Sequence, residues 1–212
     1  MPLDFPNSPS VGASYSSSGI TWTYDGEKWN IAASGGPSYV TSLPASPIDG
    51  QEIYYGADAT NGIIWHLRYR SASSSSYKWE YIGGSALTSY VDTNEGRSSN
   101  TFGDLATVGP SITLPVNGNY EIVFASTFYN DSNTNSTGAR CKLNINGTTL
   151  ADTKPFIDHL AVTALDVDGQ NRITIEEVTG TRVVKMVYNN RAGTGTAQFL
   201  QRSLSIRPVR IG

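Results

Sequence analysis

The 212-residue sequence predicts an all-β protein made of two small N-terminal β-hairpin modules followed by a β-sandwich. Composition gives the first indication, because only 16% of residues are charged while 38% are hydrophobic and glycine is frequent. A repeated pattern of Pro, Gly and Trp gives the second. The third is a series of short alternating runs after residue 87, with no sustained 3.6-residue period that would indicate a helix. We therefore predict domains at 1–35, 36–86 and 87–212.

The internal repeat defines the first two modules. Residues 5–12 and residues 43–50 both read apolar-Pro-x-Ser-Pro-x-x-Gly, and each copy continues with Gly-Ile-x-Trp and then Lys-Trp. The prolines favour a stiff extended lead-in, and the glycine permits a sharp bend. Asp25-Gly26 is a favoured hairpin dipeptide between two strand candidates. All four tryptophans occupy matching places in the two copies, which predicts two related hairpins.

A hairpin of this size is marginal in water, so its apolar side chains need cover from another surface. The candidates are the other module, a symmetry mate or a partner protein. We favour symmetry mates or partner proteins, because residues 32–39 read as a flexible linker. An alternative is that the tryptophans stack on sugar rings, as in small carbohydrate-binding modules. The expected docking residues are Phe5, Pro6, Trp22, Trp29, Leu43, Pro44, Trp65 and Trp79.

The remainder of the chain, residues 87–212, offers about eight strand candidates with the spacing expected of a sandwich. Asn117-Gly118 and Asn146-Gly147 are favoured hairpin turns, and Asp168-Gly169 and Thr179-Gly180 are expected to serve similarly. The strand candidates are 111–116, 119–129, 139–145, 149–153, 156–165, 172–178, 181–188 and 197–209.

The strand at 119–129 carries apolar or aromatic residues on both faces, and the strand at 198–209 has a similar mixture. A strand with two apolar faces is either sandwiched or part of a subunit interface. This pattern predicts packing of three copies around a three-fold axis. The expected trimer interface consists of Tyr120, Phe124, Tyr129 and Phe199.

Charge and cysteine content exclude several classes of function. The formal net charge of −3 argues against nucleic acid as a partner. The first residues lack the pattern of a secretory signal, and no run is long enough to cross a membrane, so we expect no membrane partner. The single cysteine, Cys141, excludes an intramolecular disulfide, and its strand alternation predicts a core position rather than a nucleophile.

Residues that could carry chemistry are few. The two histidines, His66 and His159, lie in no recognisable catalytic motif, so we expect no enzyme activity, no cofactor and no metal. The acidic stretch 166–171 invites a calcium interpretation, with Glu176 and Glu177 nearby. Its glycine comes too early for an EF-hand loop, and a turn between strands is the favoured interpretation. The polar stretch 130–137 is a candidate loop for contact with a host glycan or a neighbouring subunit.

Two parts of the sequence resemble known phage modules. Residues 3–9 with 22–29 resemble the short N-terminal module of phage tail-fibre and virion proteins. Residues 43–55 with 65–70 and 77–80 resemble a module that recurs in phage minor tail proteins. The remainder resembles, more loosely, the trimeric jelly rolls of the tumour-necrosis-factor and complement-globular-head type.

The resemblance implies a non-enzymatic bacteriophage virion protein, assembled in the host cytoplasm as a homotrimer. Its N-terminal modules would dock on tail, baseplate or capsid proteins, and its jelly roll would be displayed as a tail-fibre or host-adhesion component, with a host surface glycan as a further candidate partner. One alternative is a head decoration or cement protein on the capsid. An alternative of another class is a lectin-like carbohydrate-binding module.

Overall fold

Short antiparallel strands account for the regular structure of the computed structural model, which describes residues 5–17, 20–31, 37–130, 138–160, 167–191 and 195–212. No helix occurs within these ranges, so they contain no helix that could span a bilayer. The chain divides into two compact units, Met1–Ser38 and Tyr39–Gly212. The all-β prediction is confirmed.

The strands number seventeen in these ranges and are labelled in chain order. The first eight are β1 Ser14–Ser17, β2 Ile20–Tyr24, β3 Trp29–Ile31, β4 Ser38–Val40, β5 Glu52–Asp58, β6 Ile63–Tyr69, β7 Trp79–Gly84 and β8 Leu87–Val91. The others are β9 Glu95–Arg97, β10 Ser111–Thr113, β11 Gly118–Asn130, β12 Gly138–Ile145, β13 Thr148–Thr149, β14 Ile157–Leu160, β15 Val167–Val178, β16 Val183–Asn190 and β17 Ala197–Ile211.

The first unit is a three-stranded antiparallel sheet in the order β1-β2-β3. The predicted turn at Asp25-Gly26 closes β2 onto β3, with Gly26 at a φ of 111°. The Asp25 carboxylate accepts hydrogen bonds from the main-chain N–H groups of Lys28 and Glu27, both at 2.9 Å. These bonds, with one from the Asn30 side chain, lower the pKa of Asp25 to about 2. The turn is therefore stabilised by its own aspartate.

The second unit contains a jelly roll. We count β8 and β9 as one interrupted strand and β13 and β14 as another. The strands from β8 to β17 are then numbered 1 to 8 in chain order. One sheet then reads 1-8-3-6, as β8/β9-β17-β11-β15, and the other reads 2-7-4-5, as β10-β16-β12-β13/β14. Every ladder is antiparallel. This is the double Greek-key order of a jelly roll, so the predicted fold is confirmed.

The second repeat is continuous with this jelly roll. Strands β4 to β7 extend the larger sheet to nine strands, because β7 pairs with the end of β17 through Trp79↔Ile211 and Glu80↔Arg210. The structure therefore places 36–86 and 87–212 in one compact unit, and the predicted boundary at residues 86 and 87 does not separate two bodies. A boundary between compact units lies instead at Ser38, close to the predicted end of the first module at residue 35.

The core of the second unit fills the space between the two sheets and runs on beneath the β5–β7 meander. Tyr188 of one sheet meets Phe199 of the other at a ring-centroid distance of 4.9 Å. Trp65 of the meander lies 6.2 Å from Tyr120 of β11, measured between ring centroids. Cys141 is fully buried in this core, as predicted, and burial raises the pKa of its thiol.

Among the described residues of the second unit, one charged side chain is fully buried. Arg202, on β17, donates from Nη2 to Oε2 of Glu95 at 2.8 Å, and its guanidinium lies 5.5 Å from the ring centroid of Tyr188. Its remaining hydrogen bonds go to the main-chain carbonyls of Thr93, Thr107 and Gly109. Arg202 therefore fastens the long connection between β8 and β10 to the final strand.

The Glu95–Arg202 pair predicts a specific pH dependence. Partial burial of Glu95 opposes ionisation, but hydrogen bonds from Thr107 and Arg202 and the charge of Arg202 hold its pKa below the ordinary 4.5. Because the folded-state pKa is lowered, the carboxylate stabilises the fold fully above pH 4.5 and less as pH falls through the folded-state pKa. We expect urea unfolding to show that the stability advantage of the wild type over Glu95→Gln shrinks on acidification. A pH-independent difference would contradict this linkage.

Candidate subunit interface and docking residues

The predicted trimer-interface residues lie inside the subunit. Tyr120, Phe124 and Phe199 each have 0% exposure, because the even positions of β11 and the corresponding side of β17 face the space between the sheets. These three predictions are wrong for an interface, since a side chain already enclosed by its own subunit has no surface left for a partner. Tyr129 lies near the end of β11, paired with Val167 and Gln198, and its side chain falls outside the described part of the structure.

The opposite face of the same sheet carries the exposed apolar residues. On β15, Ile173 and Ile175 are 56% and 59% exposed. Ile173 pairs across the ladder with Val123 of β11, which in turn pairs with Ser205 of β17. The next row joins Ala125 to Ser203, and Ser203 to the 59% exposed Tyr90 of β8. We call this surface, formed by Tyr90, Val123, Ala125, Ile173, Ile175, Ser203 and Ser205, the outer face.

Strand β15 has an inverted pattern, with polar side chains inward and isoleucines outward. Thr174 and Glu176 are 9% and 7% exposed. Thr174 donates its hydroxyl to Oε1 of Glu176 at 2.6 Å, and Lys154 donates from Nζ to Oε2 at 2.9 Å. Burying a carboxylate while exposing two isoleucines is unfavourable for an isolated subunit. The inversion therefore leaves an exposed apolar surface, a feature typical of interaction sites.

Two charged side chains on the same side of the sheet form an ion pair next to the outer face. Arg207 of β17 lies opposite Glu121 of β11, and its Nε is 2.6 Å from Oε1 of Glu121. Glu121 is also the ladder neighbour of Ile175. The apolar outer face thus ends at an ion pair, an arrangement of an apolar centre with a polar rim that is common at protein interfaces. In the sequence, this face is marked by the alternation of Ile173-Thr174-Ile175-Glu176. Alternation alone does not show which side of a strand faces the core.

In the first unit, three of the predicted docking residues pack on one another. Phe5 stacks on Trp29 with ring centroids 5.2 Å apart and meets Trp22 edge-on at 5.4 Å. Tyr15 completes the cluster at 6.0 Å from Trp22, which is 7% exposed. The interpretation of Trp22 as an open docking or sugar-stacking platform is therefore corrected. Among the described residues of this unit, Pro6 is exposed and Val11 is 74% exposed, and both offer open apolar surface.

In the second unit, the predicted docking tryptophans are part of the common core. Trp65 is 0% and Trp79 is 3% exposed, and the indole of Trp65 donates to the carbonyl of Ser85 at 3.0 Å. Leu43 packs against the same core, and Pro44 is partly buried. The cover that this module needs comes from the jelly roll of its own chain. The expected partner surface and the sugar-stacking alternative are both wrong for Trp65 and Trp79.

The side chains with potential for chemistry do not assemble into a site in the described ranges. His66 lies on β6 with its Nε2 2.9 Å from Oε2 of Glu52, whereas the side chain of His159 falls outside the described part. Among the described residues, no three His, Cys, Asp or Glu side chains gather where a metal ion could be held. Asp166 of the calcium hypothesis and residues 131–137 of the predicted polar loop also fall outside. Glu177 accepts a hydrogen bond from the Tyr77 hydroxyl at 2.7 Å.

Comparison with known proteins gives only distant structural likeness. The sequence matches no known family profile and no curated protein. Similar solved structures include PRD1 vertex protein P5, with 13% identity over 60% of this chain and 100% of that chain and a TM-score of 0.39. Eiger TNF from S. frugiperda has 8% identity over 60% and 95%, with a TM-score of 0.37. A structure of infectious bursal disease virus Gx strain has 12% identity over 92% and 66%, with a TM-score of 0.31. At these values the likeness adds nothing to the strand order, which itself establishes the jelly roll.

Proposed function

We propose that this chain is a non-enzymatic structural protein of a bacteriophage particle that forms a homotrimer through the outer face. The observation that carries the proposal is the inversion of β15, which exposes Ile173 and Ile175 while Glu176 is buried. The three-fold symmetry and the phage setting rest on the resemblance of the first 85 residues to virion modules and of the remainder to trimeric jelly rolls. The first unit is proposed to dock on another virion protein through the surface around Pro6 and Val11.

The subunit interface is tested by the double variant Ile173→Arg and Ile175→Arg. We expect light scattering to give the mass of three chains for the wild type and one chain for the variant, with an unchanged far-UV circular dichroism spectrum. Both side chains are already outside the subunit core, so arginine there disrupts association rather than folding. Ile48→Arg is the matched control, because Ile48 is 73% exposed and lies outside the outer face.

Two results would overturn the interface proposal. A wild-type protein that is monomeric or dimeric at the highest soluble concentration contradicts the homotrimer. A double variant that remains trimeric places the interface elsewhere, and residues near Tyr129 would then be the next to examine.

The place in the particle is tested by negative-stain imaging of phage labelled with antibody against this chain. We propose a tail-fibre or adhesion component, assembled in the host cytoplasm, and label at the tail supports it. Label over the capsid supports instead the second role, a head decoration protein. Particles that carry no label contradict the proposal of a virion protein and favour the lectin-like alternative.

A further inference from the structure

An apolar pocket of about 520 Å³ opens on the outside of the β5–β7 meander, within the second unit. Its walls are Tyr39, Tyr54, Ile64 and His66. Tyr54 lies beside the His66 ring with a centroid distance of 4.8 Å. Tyr39 is 56% exposed, and Tyr54 and Ile64 are each 40% exposed. The volume lies in the range of small-molecule sites, about 300–1,000 Å³.

The floor of this pocket is made of main chain. Gly83 and Gly84, at the end of β7, line it, and a side chain at Gly84 would collide with the carbonyl oxygen of Ile64. Gly84 also has a φ of 120°, which favours glycine. Beside the pocket, Tyr39 lies directly over Gly56, where any side chain would collide with the Tyr39 hydroxyl. The close packing at Gly56 and Gly84 therefore requires glycine.

Among the described residues, the lining contains no Asp, Glu, Lys or Arg. Charged side chains occupy the next row of the sheet and pair with one another, since Arg68 lies 4.0 Å from Glu52 and 3.6 Å from Glu80. The polar groups that remain at the rim are the hydroxyls of Tyr39 and Tyr54 and the imidazole of His66, which holds Glu52 at 2.9 Å. The surroundings therefore suit a neutral ligand with an apolar face and a polar edge.

We infer that this pocket binds a neutral saccharide, with one sugar ring on the glycine floor against Tyr54. A pyranose ring has a face of C–H groups that packs on an aromatic ring and a rim of hydroxyls that bond to tyrosine, imidazole and carboxylate groups. The site differs from the tryptophan platform considered from the sequence, because those indoles are covered. It rests on the pocket alone and requires neither the trimer nor docking to the particle.

The test uses the full chain, a panel of methyl glycosides of neutral hexoses and N-acetylhexosamines, and a glycan array. Saturation-transfer NMR is expected to show binding of at least one member. Tyr54→Ala is expected to weaken that binding about tenfold, by loss of the stacking surface. Gly83→Val is expected to abolish it by filling the floor, where an added Cβ meets only the Cβ of His66, at an ordinary contact distance of 3.8 Å.

The matched control is Val108→Ala, a change at a 57% exposed apolar residue outside the pocket, which should leave binding unchanged. Far-UV circular dichroism and melting temperature check that Tyr54→Ala and Gly83→Val remain folded. Binding that survives both pocket variants places the sugar elsewhere and overturns the inference. Failure of every glycan on the array and in the panel to bind the wild type overturns it as well, and neither result bears on the oligomeric state.

Discussion

Replacing Arg202 by methionine is expected to lower the free energy of unfolding of the second unit by about 3–5 kcal/mol, the usual cost of removing one partner of a buried ion pair. The Arg202 side chain has 0% exposure, and that of Glu95 has 11%. Methionine fills much of the volume but leaves the Glu95 carboxylate without its cation. It also removes the Arg202 donor from the carbonyls of Thr93 and Thr107. The carbonyl of Gly109 keeps the Tyr188 hydroxyl as a donor. Equilibrium unfolding in guanidinium chloride measures the loss.

A matched control lies on the same strand. Arg207 of β17 also pairs with a glutamate, Glu121, but its side chain is 54% exposed. Arg207→Met is therefore expected to cost much less than Arg202→Met, because exposed ion pairs contribute little to stability. Equal losses for Arg202→Met and Arg207→Met would show that the buried pair does not fasten the β8–β10 connection.

The sequence predicted the strands of the jelly roll better than it predicted their connections. Asn146-Gly147 forms the expected hairpin turn between β12 and β13, with φ of 53° and 87°. Asn117-Gly118 instead joins strands of different sheets, because β10 pairs with β16 and β11 with β17. Asp168-Gly169 lies inside the β15 ladder, opposite Phe128 and Thr127. A turn dipeptide indicates local conformation, but it does not tell a hairpin from a crossing between sheets.

The interface prediction chose the face of β11 that lies inside the subunit. Large aromatic residues such as Tyr120 and Phe124 were expected at the interface, whereas they form the core, and smaller residues such as Val123 and Ala125 face outward. The docking prediction failed for a related reason. A repeat only a few strands long cannot bury its tryptophans alone, but the sequence does not show that β7 continues onto the last strand of the chain. Both errors concern long-range pairing.

The repeat itself is real in structure, but its register differs from that of the tryptophans. Gly12 donates from its main-chain N–H to the Tyr24 carbonyl at 2.8 Å, and Gly50 donates to Tyr69 at 3.0 Å. Tyr24 and Tyr69 are thus equivalent, and each pairs with a tryptophan of the next strand, Trp29 or Trp79. By the same count, Trp22 is equivalent to Leu67, two residues after Trp65. A shift of two residues keeps all three side chains on the same face, which sequence alignment alone could not reveal.

Trp65→Ala is expected to destabilise the whole second unit, by about 3–5 kcal/mol, because it opens a cavity in a core that the meander and the jelly roll share. The Trp65 ring lies 6.0 Å from that of Tyr55 and 6.2 Å from that of Tyr120, measured between centroids. The substitution also removes the indole N–H that donates to the Ser85 carbonyl. Hydrogen exchange should therefore show faster opening at β11 and β17 as well as at β6.

The matched substitution is Trp22→Ala. The aromatic rings in contact with Trp22 belong to the first unit, so we expect β11 and β17 to keep their wild-type protection. If Trp65→Ala also leaves those strands unaffected and loosens only β5 to β7, then residues 36–86 fold as a separate module, as the repeat alone predicts. Loss of protection in β6, β11 and β17 together would show instead that the second copy of the repeat is part of the jelly roll. Removing one indole can destabilise the meander and the jelly roll at once only if they share a core.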